Sequence, residues 1–286
     1  MPDTSLASFV RAAAQRLAEA GVPDPLVDVE LLVGHVRGVG RGEVQAAIIR
    51  GDALSGDERK RLDALVARRE AREPLQHITG TAPFRHLELS VGPGVFVPRP
   101  ETEGVAQHAI DALMLAPDAQ PVGIDLGTGS GAIALAMAME VPHARIYAAE
   151  LSPEAFAWAS RNTADAENLT LVHADMADAF PELAGTAAVV ISNPPYVPDA
   201  AVPKDPEVRL FDPAMALYGG PDGLDLVRAL STNALRLLRP GGLLVIEHGE
   251  LQGSEIRALL DADGWRATAT HLDLTLRDRA TTAIRP

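Results

Sequence analysis

Asn193-Pro194-Pro195-Tyr196 follows the apolar run Ala187-Ala188-Val189-Val190-Ile191-Ser192, and together they read as a polar pocket at the carboxyl end of a buried strand. Such a pocket suits chemistry on a planar NH2 group, methyl transfer to its nitrogen in particular. Asn193 Oδ1 and the Pro194 carbonyl are acceptors for the two hydrogens of an amide or amino nitrogen, and the Tyr196 ring fixes the plane of the group. Two prolines in succession fix φ and hold Asn193 extended, so the acceptors do not wander. Taken alone, the same four residues also describe a proline turn that ends a strand. The surrounding elements decide between the two.

Val122-Gly123-Ile124-Asp125-Leu126 runs into Gly127-Thr128-Gly129-Ser130-Gly131 and then into a helix starting at Ala132. A glycine-rich turn between a first strand and a first helix is where ligands of a doubly wound sheet bind. Its spacing is G-x-G-x-G, not the G-x-G-x-x-G of dinucleotide enzymes. Glu150 ends the second strand, where a carboxylate accepts hydrogen bonds from both ribose hydroxyls of a nucleoside. Ser152-Pro153 then caps and opens the next helix. Asp175 ends the third strand, placed to meet an adenine amino group, with Met176 against the ring. Asp125 is read as orienting the glycine turn through backbone N–H groups.

The elements that must position these residues fall into three stretches. From Ser5 to about Arg72, Leu6, Phe9, Val10, Ala13 and Leu17 recur at three- and four-residue spacing, as do Val27, Leu31 and Leu32, then Leu62, Leu65 and Val66. Breaks at Gly21-Val22-Pro23, between Gly38 and Gly42 and between Gly51 and Gly56 separate four or five helices. We therefore expect a small helical bundle over residues 1–73, without a catalytic motif and suited to substrate recognition. Residues 74–98, rich in proline and glycine with alternation in Leu87-Glu88-Leu89-Ser90-Val91, are expected to be a linker with a β-hairpin. Residues 99–286 alternate strand and helix and give an α/β, doubly wound, Rossmann-like sheet. Strands are expected at 122–126, 145–149, 169–173, 187–192, 243–247, 266–272 and 281–284. The last two, joined only by a polar turn over 273–279, form an antiparallel pair at one edge.

The chain of 286 residues is 47% apolar with mean hydropathy +0.06, in the range of soluble globular proteins. Its apolar runs fall short of the ~18–20 residues that span a bilayer. Acidic Asp3 and the absence of a basic stretch ahead of an apolar run predict no signal peptide. The absence of cysteine rules out disulfides, thiolate catalysis and zinc–thiolate sites, and no metal is expected. A cytoplasmic location follows as the expectation, with no membrane partner. The formal charge of −14 opposes the basic face that a nucleic-acid binder presents. Residues 1–90 hold 13 acidic and 12 basic side chains, so the excess lies beyond them. Arg59, Lys60, Arg61, Arg68, Arg69 and Arg72 make either a local basic surface or a solvated helix face.

Strand, glycine turn, two acids and Asn-Pro-Pro-Tyr is the motif order of S-adenosylmethionine-dependent amino- and amide-methyltransferases, and the chain resembles their HemK/PrmC family over essentially its full length. The resemblance rests on the helical N-terminal part, Glu73-Pro74-Leu75-Gln76-His77-Ile78-Thr79-Gly80, Val97-Pro98-Arg99-Pro100-Glu101-Thr102-Glu103 and the turn Gly127 to Gly131. It continues through Ser192 to Tyr196, Tyr218-Gly219-Gly220-Pro221-Asp222-Gly223-Leu224-Asp225 and Arg277-Asp278-Arg279. The Val-Pro-Arg-Pro-Glu-Thr segment is similar to the release-factor branch rather than to the ribosomal-protein glutamine methyltransferases.

The resemblance implies a class I S-adenosylmethionine methyltransferase that methylates the glutamine of the Gly-Gly-Gln loop in bacterial class 1 peptide-chain release factors. Gly127, Thr128, Gly129, Ser130, Gly131, Glu150, Asp175, Met176 and Asn193 would hold the cofactor. Asn193, Pro194 and Tyr196 would be catalytic, and Pro195, Arg99 and Glu101 would join them in binding substrate. Several positions depart from the family pattern: Glu150 stands for a frequent Asp, Met176 for an aromatic residue in some relatives, and Leu276 for a usual glycine. His248 interrupts a usual Glu-Ile-Gly. An adenine-N6 methyltransferase acting on nucleic acid shares the Asn-Pro-Pro-Tyr chemistry and is the rival reading, opposed by the charge and by the Pro98-Arg99-Pro100-Glu101 linker.

Overall fold

The computed structural model describes residues 5–286; Asp3, on which the expectation of no signal peptide partly rests, lies outside them. The chain folds into two compact units, one running to Gly80 and taking in Pro203–Phe211, the other holding Thr81–Val202 and Asp212–Pro286.

The first unit is built from α1 (Leu6–Glu19), α2 (Pro25–Arg37), α3 (Arg41–Arg50), α4 (Gly56–Glu70) and the short α5 (Leu75–Thr79). The periodic face of α1 is the buried one: Leu6, Phe9, Val10, Ala13 and Leu17 pack with Val29, Leu32, Val33, Val44, Leu62 and Val66. Gly38, at φ +67, ends α2 in the left-handed conformation that glycine adopts without penalty. Ser55 opens α4 with a capping box: its hydroxyl accepts from Glu58 N at 3.2 Å, and Glu58 Oε2 accepts from Ser55 N at 2.7 Å. Residues 75–79, placed in the linker from sequence, are the helix α5, because Pro74 at its N-cap leaves its carbonyl to accept from His77 N and Ile78 N.

Residues 203–211 pack with these helices, although the strand–helix alternation around them reads as one methyltransferase domain. Glu207, on the short helix Pro206–Phe211, accounts for this. Arg69 Nη1 and Arg72 Nε lie 2.7 Å from its carboxylate, and Arg72 Nη2 makes a further bond. Burial opposes ionisation of Glu207, but its bonds with Arg72 and Arg69 and its hydrogen-bonding with Asp205, whose Oδ1 accepts from Glu207 N, override it and hold the carboxyl down at about 2. Its contribution to stability is therefore present above its usual carboxylate range and is lost as pH falls through about 2. Arg69 also holds Asp28 at 2.7 Å. Arg69→Ala strips a buried cation from two carboxylates and is expected to destabilise the protein by about 3 kcal/mol, read as a lower urea midpoint.

The second unit begins with the hairpin β1 (Thr81–Phe84) and β2 (Leu87–Ser90), then α6 (Pro100–Leu115), β3 (Val122–Leu126), α7 (Ala132–Glu140), β4 (Arg145–Glu150), α8 (Pro153–Thr163), β5 (Leu169–His173) and β6 (Ala187–Ser192). After α9 (Pro206–Phe211), the short helix already described, come α10 (Asp225–Leu237), β7 (Leu238–Glu247), α11 (Gly253–Ala262), β8 (Arg266–Leu272) and β9 (Asp278–Ile284). The main sheet has the order β5-β4-β3-β6-β7-β9-β8. Its first five strands are parallel, and β9 is antiparallel to both β7 and β8, the edge pair expected from sequence. All six residues of β6 are buried, as a central parallel strand covered on both faces requires. Val189 and Ile191 face one core with α6 and α7, while Val190 faces the other with α10 and α11.

Two strands start earlier than their sequence suggests. β7 begins at Leu238 despite Pro240-Gly241-Gly242, because Leu238 pairs with Ala187 across a register shift. β9 begins at Asp278, paired with Leu272. The β1–β2 hairpin is integral to the second unit: Arg85 binds Glu140 at 2.5 Å and Gln107 at 2.7 Å.

Candidate active site

Chain progression runs from β3 outward through β4 and β5 on one side and through β6 and β7 on the other. β3 and β6 therefore flank the switch point, at whose carboxyl edge ligands of such sheets bind. Gly123, Ile124 and Asp125 pair with Val189, Val190 and Ile191, so the glycine turn and the Asn-Pro-Pro-Tyr tetrad emerge side by side. Ser192 Oγ donates to the Leu126 carbonyl at 2.5 Å, joining the two strand ends.

On the glycine-turn side, Gly127, Gly129 and Gly131 all have φ between +60 and +84, which explains the G-x-G-x-G spacing by conformation. Gly127 N and Thr128 N donate to the Ala149 carbonyl at 2.9 and 3.0 Å. Asp125 Oδ2 accepts from Thr128 Oγ1 at 2.5 Å and from Ala134 N at 3.1 Å. Asp125 thus orients the turn through a hydroxyl and a helix N–H, not through the N–H groups of the turn itself. Burial lifts its carboxyl to about 7 against those two hydrogen bonds, with Glu150 adding to the rise.

Glu150 is 8% exposed. Its Oε2 accepts from Gly129 N at 2.8 Å and its Oε1 from Ser152 N at 2.7 Å. Each oxygen keeps a second lone pair in this arrangement. Asp175 is exposed and accepts from Ala177 N at 2.9 Å. Met176 packs over the turn: a Cβ on Gly127 would stand 2.8 Å from Met176 Cε. Asn162, with no motif to mark it, stitches this region together. Its Nδ2 donates to the Ser130 and Ser90 carbonyls at 2.9 and 3.0 Å, and its Oδ1 accepts from Ser90 N at 2.8 Å.

The tetrad is held by its backbone. Asn193 is half-buried and Pro194 buried. Gln252 Nε2 donates to the Tyr196 carbonyl at 3.0 Å, and Val197 N donates to Leu217 O at 2.8 Å. Gly219 N returns a bond to Val197 O at 2.9 Å. A Cβ on Gly219 would press into the Pro195 carbonyl oxygen, and one on Gly223 into that of Tyr196. Gly219 and Gly223 of the 218–225 motif are thus required by close approach to the tetrad, whereas Gly220, at φ +93, faces the Asp225 carboxylate.

A family model described as the PrmC N-terminal domain matches residues 9–80, and one described as the methyltransferase small domain matches residues 93–218. The chain is 50% identical to the release factor glutamine methyltransferase of Streptomyces coelicolor over 97% of each chain. With that of Bifidobacterium longum it shares 42% identity over 98% of this chain and 99% of the other. The chain belongs to the release factor glutamine methyltransferase family.

Another relative of this family member is named for a different acceptor: the 4-amino-L-phenylalanine/4-methylamino-L-phenylalanine methyltransferase of Streptomyces pristinaespiralis, 38% identical over 98% of this chain and 95% of that one. Among solved structures, a methyltransferase from Pyrococcus furiosus shares the fold, with TM-score 0.51 and 19% identity over 78% of this chain and 97% of that one.

Two positions read from the family resemblance have definite surroundings. Arg99 Nη2 binds Asp212 Oδ2 at 2.7 Å, and its guanidinium lies 4.7 Å from the Phe96 ring centroid. Glu101 is exposed in the first turn of α6. Motif spacing gave no sign of Glu247, the last residue of β7, one step along the ladder from the Ser192–Ile246 pair. It is 2% exposed, and its Oε2 has no hydrogen-bond partner among the described residues. Burial raises its carboxyl to about 7; Thr102 and Arg279 oppose the rise without completing a well-formed bond to that oxygen, and Glu101 adds to it. Burial and the nearby Glu247 push the Tyr196 phenol up to about 12, against Arg279.

A folded pKa raised above the unfolded carboxylate value means that Glu247 favours the native state at low pH. That contribution is lost as pH rises through about 7. Glu247→Gln removes this loss, so its melting temperature relative to wild type is expected to rise by a few degrees between about pH 5 and about pH 8. Parallel thermal melts of the two proteins across that window check it.

Proposed function

We propose that this protein transfers the methyl group of S-adenosylmethionine to the side-chain amide nitrogen, N5, of the glutamine in the Gly-Gly-Gln loop of bacterial class 1 release factors. The observation that carries the reading is the acceptor tetrad braced beside the glycine turn through Ser192 and Leu126, in a chain aligned with release factor glutamine methyltransferases along nearly its whole length.

The residues beside the turn fit the donor. Glu150 has lone pairs for two ribose hydroxyls, the left-handed glycine turn brings backbone close to a ligand, and Met176 offers an apolar face to a base with Asp175 at its edge. S-adenosylmethionine bound there supplies a methyl group already activated on a sulfonium, so the chain's task is positioning more than acid–base chemistry.

An amide nitrogen is a weak nucleophile because its lone pair is delocalised into the carbonyl. Asn193 Oδ1 and the Pro194 carbonyl each accept one amide hydrogen, which favours a pyramidal nitrogen and directs its lone pair at the methyl. Tyr196 packs against the amide plane. The methylated nitrogen, still carrying both hydrogens, is strongly acidic and loses one to water, so no dedicated general base is required. We assign recognition of the release-factor body to the N-terminal helical unit, residues 1–73, and ordering of the pocket to Arg99 and Glu101. No described helix is long and apolar enough to cross a membrane.

The test is mass spectrometry of a release-factor digest after incubation with enzyme and S-adenosylmethionine, with duplex DNA and 4-amino-phenylalanine as parallel acceptors. One methyl on the Gly-Gly-Gln glutamine is the expected result. Methylation of either other acceptor with the release factor untouched would overturn the reading.

A further inference from the structure

The carboxyl edge of the main sheet carries four leucines that the fold leaves in solvent: Leu251 is 85% exposed, Leu272 58%, Leu274 104% and Leu276 78%. β7 ends at Glu247 on this edge, and its antiparallel neighbour β9 begins at Asp278. The β8–β9 turn therefore projects from the same edge as the tetrad, which follows β6, the other neighbour of β7. At ~4.8 Å between strands, the turn lies two to three strands away, ~10–15 Å from the tetrad.

Three links make this surface continuous with the acceptor site. Arg277 Nε lies 3.5 Å from Glu250 Oε2, joining the loop of Leu251 to the turn of Leu274 and Leu276. Gln252, next to Leu251, is the residue that holds the Tyr196 carbonyl. Arg279 Nε reaches Asp273 in the turn at 3.3 Å, and the same guanidinium is near enough to the Tyr196 phenol to oppose the rise in its pKa.

Leu276 adds an independent observation. Its φ of +64 is a conformation that disfavours leucine, and its side chain gains almost no burial in return. Neither backbone nor packing accounts for leucine there. Clustered exposed apolar side chains rimmed by charge mark an interaction site.

We propose that Leu251, Leu274 and Leu276 form a second docking surface for the protein substrate, apart from the helical unit assigned to its body, receiving an apolar patch on the release factor that flanks its glutamine loop. The proposal rests on the function assigned above. Its distance from the tetrad selects the occupant: a small amine or a lone glutamine side chain seated at Asn193 would not span ~10–15 Å, whereas a folded protein that inserts a loop covers this surface.

The experiment compares steady-state methylation of intact release factor by wild type, the Leu251→Ser/Leu274→Ser double variant and the conservative Leu251→Met/Leu274→Met variant. The serine variant is expected to raise KM for release factor about tenfold, with kcat, S-adenosylmethionine affinity and melting temperature unchanged. The methionine variant is expected to stay near wild type. An unchanged KM in an otherwise active enzyme overturns the surface alone, as does a fall in kcat without a rise in KM. Wild-type self-association that the serines abolish while KM is unmoved overturns it in favour of a second copy of this chain. A wild type that leaves release factor unmethylated overturns the function and this surface with it.

Discussion

Asn193→Ala is expected to lower turnover on release factor by about 10²–10³-fold, the usual cost of deleting one positioned hydrogen-bonding group at a reacting centre. Glu150, the glycine turn and Met176 are untouched by the change, so S-adenosylmethionine affinity should move far less than turnover. In the proposed mechanism the lost group is the oxygen that takes one amide hydrogen and so directs the nitrogen lone pair. The Pro194 carbonyl alone leaves the amide free to rotate away. Single-turnover methylation beside calorimetric titration of S-adenosylmethionine separates the two effects. Comparable turnover by wild type and variant would remove Asn193 from the mechanism.

Gly223→Ala is the second change of large expected effect. It acts without touching any group that meets substrate. The added Cβ would press into the Tyr196 carbonyl oxygen and stand 2.9 Å from Gln252 Nε2, at a residue whose φ is +77. The backbone strain alone costs about 1–2 kcal/mol. The carbonyl is the more consequential neighbour, because relieving the clash means moving Tyr196 and breaking its bond from Gln252. A displacement near 1 Å at a positioning group costs about 10²-fold in rate. We expect kcat to fall by about that factor while the protein remains folded, with a melting temperature lowered by only a few degrees. A variant with wild-type kcat would show that the tetrad does not depend on this contact.

The tetrad, the glycine turn and Glu150 were legible in the sequence because each is a local pattern at a strand end, and strand ends are what apolar runs locate best. The braces were not legible. Gln252 lies 56 residues from the carbonyl it holds, and a lone glutamine in a loop carries no signal of a distant partner. Asn162 looks like any polar residue on α8, yet it ties Ser90 to Ser130. Gly219 and Gly223 were visible as motif letters, but the reason for them is an approach between segments that no periodicity encodes. Among the elements, α5 was hidden by surrounding prolines, and the early start of β7 by Pro240-Gly241-Gly242. Residues 203–211 follow the helical unit because of Arg69 and Arg72. Arg72 and its partner Glu207 are 135 residues apart in the chain, far beyond the reach of any helical spacing rule.

The hydroxyl of Ser192 bridges to a carbonyl 66 residues earlier in the chain, which has a bearing on how the enzyme comes into being. The donor turn is encoded early and the acceptor tetrad late, with two complete strand–helix crossovers between them. Loop-closure entropy for such distant pairing is met only when the intervening strands have already ordered. Joining the two halves of the proposed site is therefore expected to accompany closure of the central sheet rather than precede it.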